Sequence, residues 1–380
     1  MREKSEKRLK VLLMTPSLYY GGEEISTINI ARELKRRGHE PVYMSSSGPL
    51  EKSLRDHGIR FVRADIRGRG PFGLLKGALA IRKFLEREPV SVIHSQTPWP
   101  AIMAAIARRF LKIKAPIIWH NRGIRKSNYR YVARIANLLF DFVVSNSDDE
   151  EFRLISNGLD RVRSVRIHNG LNLDDYDIAS PRKTDLKKEL SLNEGSVLIG
   201  MVGRLDEEKG PKWLLEAASI LNAGDELNNA RFVFIGDGPQ RALLERLAFD
   251  RGLRQKVFFL GFRNDVCDVY KNLDALAVPS ESESFGNVII EAMLMGVPVA
   301  ASNVGGVKEI IADRENGLLF GPKDPYAIAD ALKLLFDDGV MRKRISEGGR
   351  RRVLKYFNTK RVVDDLEEIY TKVIGSNGQI

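Results

Sequence analysis

Residues Pro279–Gly306 read PSESESFGNVIIEAMLMGVPVAASNVGG, running from a polar turn through an apolar helix into a short strand. The turn carries Glu281 and Glu283, Phe285–Gly286 leads into the run NVIIEAMLM, Gly296 stops that run, and Val297–Ser302 reads as a buried strand. One acid, Glu291, stands inside the apolar run, eight residues after Glu283. A lone Glu in an apolar helix needs a partner or costs several kcal/mol in desolvation when ionised. Eight residues of continuous helix would rise about 12 Å. Two acids so spaced around a helix N-terminus suit an extended ligand with hydroxyls at both ends and phosphates between, the helix amides facing the phosphates. The same pattern also suits a helix–strand packing unit with an incidental acid.

Outward from this stretch, short apolar runs alternate with amphipathic ones. On its N-terminal side the spacing predicts strands at Val197–Val202, Arg231–Gly236, Val257–Leu260 and Ala275–Val278, separated by helices at Lys212–Ala223, Arg241–Arg251 and Val266–Asn272. Beyond it come a short helix at Val307–Ala312, a strand at Gly317–Phe320, a helix at Pro325–Phe336 and a mostly helical C-terminal segment. The first half repeats the rhythm. Strands are expected at Lys10–Pro16, Pro41–Ser45, Arg60–Ala64, Val90–Ser95, Pro116–His120, Asp141–Asn146 and Arg163–Ile167. The helices between them are expected at Ile25–Arg37, Leu74–Glu88, Trp99–Phe110, Tyr129–Phe140 and Asp148–Asn157. Such alternation argues for parallel sheets covered on both faces. From Asn169–Gly170 to about Ser191 no apolar period appears, which marks a junction. The reading is an α/β protein of two Rossmann-like domains, with ligands at the carboxyl ends of strands and in a cleft between the halves.

A chain of 380 residues exceeds one comfortable core. Its composition, 43% hydrophobic and 29% charged, is that of a globular protein, with no apolar run of transmembrane length and no cleavable signal after the basic start. A single cysteine, Cys267, excludes an internal disulfide or a cysteine metal cage and fits a reducing compartment. The formal charge of +11 favours an anionic partner. No aromatic-and-basic ladder supports nucleic acid. Ala107–Lys114, ARRFLKIK, suits an anionic membrane surface or an ordinary helix end. Arg122, Arg125 and Lys126 belong to the scattered basic residues of the first half.

Several loops after strands carry chemistry. Gly203–Arg204 and Lys209–Gly210 follow the first strand of the second half, a fork and a point charge for a diphosphate, or a solvated loop balanced by Asp206, Glu207 and Glu208. Gly236–Asp237–Gly238–Pro239 is a tight turn. Gly21–Gly22 follows the first strand, where backbone amides can face a phosphate or an acceptor. There is no G-x-G-x-x-G and no P-loop. His94 and His120 fall at strand ends, placed for a general base or for hydrogen bonding at the sheet edge. Asp175–Tyr176–Asp177 reads as a solvated turn, and no histidine spacing suggests a metal.

Taken together, these residues resemble a GT-B retaining glycosyltransferase of family 4 over nearly the whole chain. Glu283-x7-Glu291 carries the resemblance, supported by Val202–Gly203–Arg204–Leu205 with Lys209–Gly210, Gly236–Pro239, Gly261–Phe262, Gly21–Gly22 and the Asn169–Gly170 junction. It implies a first domain over 1–168 on the acceptor side, a donor domain over 169–361, and a last helix over 362–374 crossing back. It further implies a hexosyltransferase-type enzyme taking a UDP- or GDP-sugar, without a tightly bound cofactor or required metal. Glu291 would hold the ribose, Glu283 the sugar, Arg204 and Lys209 the diphosphate, assisted by Phe285, Gly286 and Asn287 and the glycines at 21, 22, 203 and 236. The acceptor would be a saccharide or lipid-linked sugar of polysaccharide, glycolipid or envelope synthesis, reached in the cytoplasm or peripherally on an anionic inner-membrane surface. Relatives making a sugar-phosphate, hydrolysing or epimerising the nucleotide sugar, or merely binding it as a scaffold, share the pattern. One departure stands out: the family's H-x-H reads His94–Ser95–Gln96 here, and a glutamine cannot act as a base.

Overall fold

The structure, a computed structural model, describes residues 8–111, 114–124, 128–178, 180–224 and 227–377. Lys112, Ile113, Arg125 and Lys126 of the basic segments lie outside the described residues. The chain forms two compact units. The first runs to Asn172 and resumes at Asn358, and the second is Leu173–Phe357.

The first unit alternates β1 (Lys10–Met14), α1 (Gly22–Arg36), β2 (Glu40–Ser45), α2 (Glu51–Asp56), β3 (Arg60–Arg63), α3 (Pro71–Arg87), β4 (Val92–Ser95), α4 (Pro98–Leu111), β5 (Ile117–Asn121), α5 (Tyr129–Leu139), β6 (Phe142–Ser145), α6 (Asp148–Ser156) and β7 (Ser164–Arg166). Its strands form one parallel sheet in the order β3-β2-β1-β4-β5-β6-β7. Why β1 is a continuous apolar run follows from its two buried faces. Val11 and Leu13 pack into one core, Leu12 and Met14 into the other. Two expectations shift. Helix α1 begins at Gly22, earlier than the apolar period suggested, with Gly21 in extended backbone at its N-cap and Thr27 Oγ1 donating back to Glu23 O at 2.7 Å inside the first turns. The short α2 was not anticipated, since a single buried residue, Leu54, leaves no period to read.

The second unit contains α7 (Leu186–Glu189), β8 (Val197–Val202), α8 (Pro211–Ala223), β9 (Ala230–Ile235), α9 (Arg241–Asp250), β10 (Val257–Gly261), α10 (Val266–Asn272), β11 (Ala275–Val278), α11 (Asn287–Leu294), β12 (Val299–Ser302), α12 (Val307–Ile310), β13 (Leu318–Phe320), α13 (Pro325–Asp337) and α14 (Gly339–Tyr356). Its parallel sheet is ordered β10-β9-β8-β11-β12-β13. Both sheets therefore reverse direction of winding once, between β1 and β4 in the first unit and between β8 and β11 in the second.

The last helix, α15 (Thr359–Asn377), belongs to the first unit. Val362, Val363, Leu366, Tyr370 and Val373 form its apolar stripe and enter the core that holds Val11, Leu13, Ile28 and Ile118. Arg37 of α1's C-cap bridges Asp364 at 2.6 Å and Glu367 at 2.8 Å, and His39 Nε2 meets Glu367 at 2.8 Å. Among the basic residues near α4, Arg108 pairs with Asp141 and donates to Leu139 O at 3.0 Å, so it serves the interior of this unit. No described helix is long and apolar enough to cross a membrane. Leu366 is fully buried, so Leu366→Ala is expected to cost about 2–5 kcal/mol in urea unfolding of the whole chain. Glu368→Ala, on the exposed face of the same helix, is expected to stay within about 0.5 kcal/mol.

Candidate active site

An open parallel sheet leaves a crevice at the carboxyl ends of its strands where the winding reverses. In the second unit that point lies between β8 and β11. The loop after β8 brings Gly203–Gly210, and the loop after β11 brings Pro279–Gly286. Asp206 caps the turn Glu207–Lys209 by accepting from Lys209 N at 3.1 Å. Gly210 follows with φ +64°, and a Cβ there would lie 2.2 Å from Pro279 O, so only glycine lets the two loops touch. Glu281 N donates to Glu208 O at 2.9 Å, completing the seam.

Across this seam Lys209 Nζ meets Glu283 Oε2 at 2.6 Å. Glu283 is 8% exposed and also accepts from Ser280 Oγ at 3.4 Å. Burial opposes the Lys209 charge, but Glu283 outweighs it through its charge and hydrogen bond, so the ammonium is held more firmly than in water. Arg204 differs: its side chain is 69% exposed, pairing with Asp206 at 2.9 Å and Glu208 at 3.8 Å. Both acids of the turn are engaged, Glu283 with Lys209 and Glu281 elsewhere. Glu281 accepts from Trp213 Nε1 at 2.9 Å and pairs with Lys323 at 2.6 Å.

Gly286, at φ +107°, turns the chain into α11 and contributes no capping side chain. A Cβ at this position would stand 2.9 Å from Ile289 Cδ1 and 3.4 Å from Glu283 Cγ. Phe285 anchors the turn from beneath, edge-on to Phe357 at 5.6 Å. Only from Asn287 is the interval between Glu283 and Glu291 helical, so the rise expected for eight helical residues does not apply to it. Glu291 finds the partner that the apolar run required: Tyr270 donates its hydroxyl to Oε2 at 2.9 Å. Burial pushes the Glu291 carboxyl up and the tyrosine bond pulls it back. Tyr176, read as part of a solvated turn, is instead raised by burial and by the nearby Glu291 charge. Neither tyrosine carries a signal in the sequence, since each lies far along the chain from Glu291. Gly203 and Gly236 pack backbone to backbone under the Arg204 loop, where a Cβ on Gly236 would lie 1.9 Å from Gly203 O. Among the described residues Glu281, Glu283 and Glu291 do not gather into a metal cage.

In the first unit Gly21 caps α1 and Gly22 begins it. His94 and His120 are buried in the sheet, their rings stacked at 5.4 Å. His94 Nδ1 lies 2.7 Å from Tyr370 Oη, while its Nε2 and both nitrogens of His120 have no partner among the described residues. Burial, with Arg122 nearby, lowers His94 to about 3 and His120 well below its ordinary value. Both imidazoles are thus held neutral near pH 7.

Residues 20–175 match the family described as Glycosyltransferase Family 4, and residues 182–352 match Glycosyl transferases group 1. The D-inositol 3-phosphate glycosyltransferase of Corynebacterium urealyticum is 31% identical over 92% of this chain and 90% of its own. The chain belongs to glycosyltransferase family 4. This family 4 enzyme is also 26% identical to the UDP-Gal:alpha-D-GlcNAc-diphosphoundecaprenol alpha-1,3-galactosyltransferase of Escherichia coli, over 86% of the chain and 87% of that relative. Its fold matches Anabaena HepE, solved in complex with UDP-glucose, with a TM-score of 0.84 at 23% identity over 96% of this chain and 100% of that one. The two parallel α/β units are those of the GT-B fold, and the chain is a glycosyltransferase. In this glycosyltransferase, Lys209→Met would leave Glu283 shielded without its cation, and we expect a loss of about 3 kcal/mol in urea unfolding. Adding Glu283→Leu is expected to recover most of that loss, the coupling showing that the two side chains act as a pair.

Proposed function

We propose that the chain moves a sugar, with retention of anomeric configuration, from a UDP-sugar to a saccharide or lipid-linked acceptor of envelope or polysaccharide synthesis. The observation that carries this reading is the meeting of Lys209 and Glu283 at the β8/β11 reversal, in the loop that leads into the start of α11. The name of the Escherichia coli relative specifies a UDP-linked hexose and an acceptor on a lipid diphosphate, which supports both halves of the proposal.

In this reading the donor lies along the loop after β11. Glu291, steadied by Tyr270, accepts from the ribose hydroxyls. The diphosphate faces Arg204, Lys209 and the first amides of α11 around Phe285–Asn287, where the helix dipole favours negative charge. Glu283 accepts from a hydroxyl of the sugar. An entering diphosphate competes for Lys209 Nζ, and as that bond is shared, Glu283 turns an oxygen to the sugar. As the glycosidic bond breaks, charge grows on the departing diphosphate, and preset cations and amides stabilise that charge more than they stabilise the bound substrate. A phosphate oxygen of the leaving group takes the proton of the acceptor hydroxyl, so no protein base is needed. That fits the neutral, enclosed state of His94 and His120.

A thermal-shift panel of nucleotide sugars on the whole chain is expected to single out a UDP-sugar. With that donor, Arg204→Ala should lower kcat/KM by about 100-fold or more, the scale of losing one charge-stabilising group. The anomeric coupling in the product's NMR spectrum should match that of the donor. Near-normal turnover of Arg204→Ala, or an inverted product, would overturn the assignment.

A further inference from the structure

The reversal between β1 and β4 gives the first unit a crevice of its own. Three segments meet over it: the start of α1, the residues after β4 and those after β5. Arg122, directly after β5, reaches into both of the others. Its Nε and Nη2 donate to Gln96 Oε1 at 3.0 and 2.8 Å. Nη1 donates to Ser26 Oγ at 3.1 Å and to Asn169 Oδ1. Every one of these acceptors is neutral. Among the described residues no carboxylate forms an ion pair with Arg122, although the guanidinium is largely withdrawn from water.

Among the described residues, two further donors at this point find no acceptor. One Nη2 hydrogen of Arg122 remains after the bonds just named. Gln96 is 1% exposed, and its Nε2 has no hydrogen-bond partner. The bond to Arg122 fixes which end of the amide is oxygen, so it is the nitrogen that stands unmatched. Glu23 lies close enough to feel Arg122, yet its Oε1 is buried without a partner. Burial, and then Glu24, push the Glu23 carboxyl up to about 8, so near neutral pH it is mostly protonated and does not cancel the guanidinium. Burial lowers Arg122 itself to about 10, which still leaves it charged near pH 7. A shielded cation hydrogen-bonded only to neutral oxygens, with Glu23 and Glu24 near it but beyond ion-pair distance, beside an unmatched amide N–H, makes the donor set of an oxyanion site.

We infer that the first unit carries an oxyanion subsite at the β1/β4 reversal, in which Arg122, oriented by Gln96, receives a phosphate or carboxylate borne by the sugar acceptor. This rests on the transferase reading above for the word acceptor, while the anion site itself stands on the geometry of the first unit. Gln96 is a positioning residue: its oxygen aligns the guanidinium, and its nitrogen adds a donor beside it. A bidentate oxyanion would take the free Nη2 hydrogen and the Gln96 amide together.

Calorimetric titration of the whole chain with inorganic phosphate and, separately, with malonate, each with and without saturating UDP, tests the inference. At least one anion should bind with UDP present, and the better of the two tells whether the acceptor's group is phosphate or carboxylate. Arg122→Met should weaken that binding at least tenfold, and Gln96→Ala severalfold. The double variant Arg204→Ala/Lys209→Ala should keep it within twofold while losing UDP. Should Arg122→Met fail to fold by circular dichroism, Gln96→Ala decides. The inference falls if neither anion binds, if the first-unit variants bind as well as the parent, or if only the Arg204/Lys209 variant loses the anion. Failure of the chain to bind any nucleotide sugar would remove the donor proposal and leave an Arg122-dependent anion site standing.

Discussion

The ion pair between Lys209 and Glu283, 2.6 Å long and mostly shielded, is the constraint on which the second unit's site depends. Two charges withdrawn from water are tolerable only when each satisfies the other. Satisfying them ties the loop after β8 to the loop after β11, which sit on opposite sides of the point where the sheet reverses. The backbone is shaped for this contact. Gly210 removes the side chain that would hold the loops apart, and Gly286 removes the one that would collide with Ile289. The pair also sets electrostatics. Lys209 is balanced by Glu283, and the more exposed Arg204 by Asp206 and Glu208.

The two units solve a similar problem in different ways. In the second, a cation is stored against a carboxylate. In the first, Arg122 is stored against amide and hydroxyl oxygens, with Glu23 nearby and mostly protonated. A carboxylate partner must be displaced or shared when an anion arrives, whereas neutral oxygens can keep their bonds. This contrast gives the departure Gln96 a physical content. An imidazole could not accept from Nε and Nη2 together as one carbonyl oxygen does, so glutamine at this position is suited to hold an arginine fork.

Much of the architecture was legible because its physics is local. Strand–helix alternation, the glycine stops and the continuous apolar strands follow from short-range periodicity, and they lead to two parallel sheets. The candidate site drew notice for a related reason: Glu283, Phe285, Gly286 and Glu291 lie within one short stretch whose acid needs a partner in an apolar helix. What escaped the sequence is pairing across long separations. The partner of Glu291 comes from α10, Lys209 reaches Glu283 across three intervening strands, and Arg122 finds Gln96, Ser26 and Asn169 on three different segments. Nothing in residue spacing encodes such contacts. The histidines add a further case: His94, at a strand end, meets Tyr370 of the last helix, a contact that no spacing encodes.

In the proposed reaction the donor's phosphates arrive at the Lys209–Glu283 bridge. A crystal structure of the chain with an intact UDP-sugar bears on this most directly. It should show the diphosphate at the start of α11 within hydrogen-bond distance of Lys209 Nζ, with a Glu283 oxygen turned to a hydroxyl of the sugar. A nucleotide seated elsewhere, or a diphosphate bound with the Lys209–Glu283 pair closed and untouched, would contradict it.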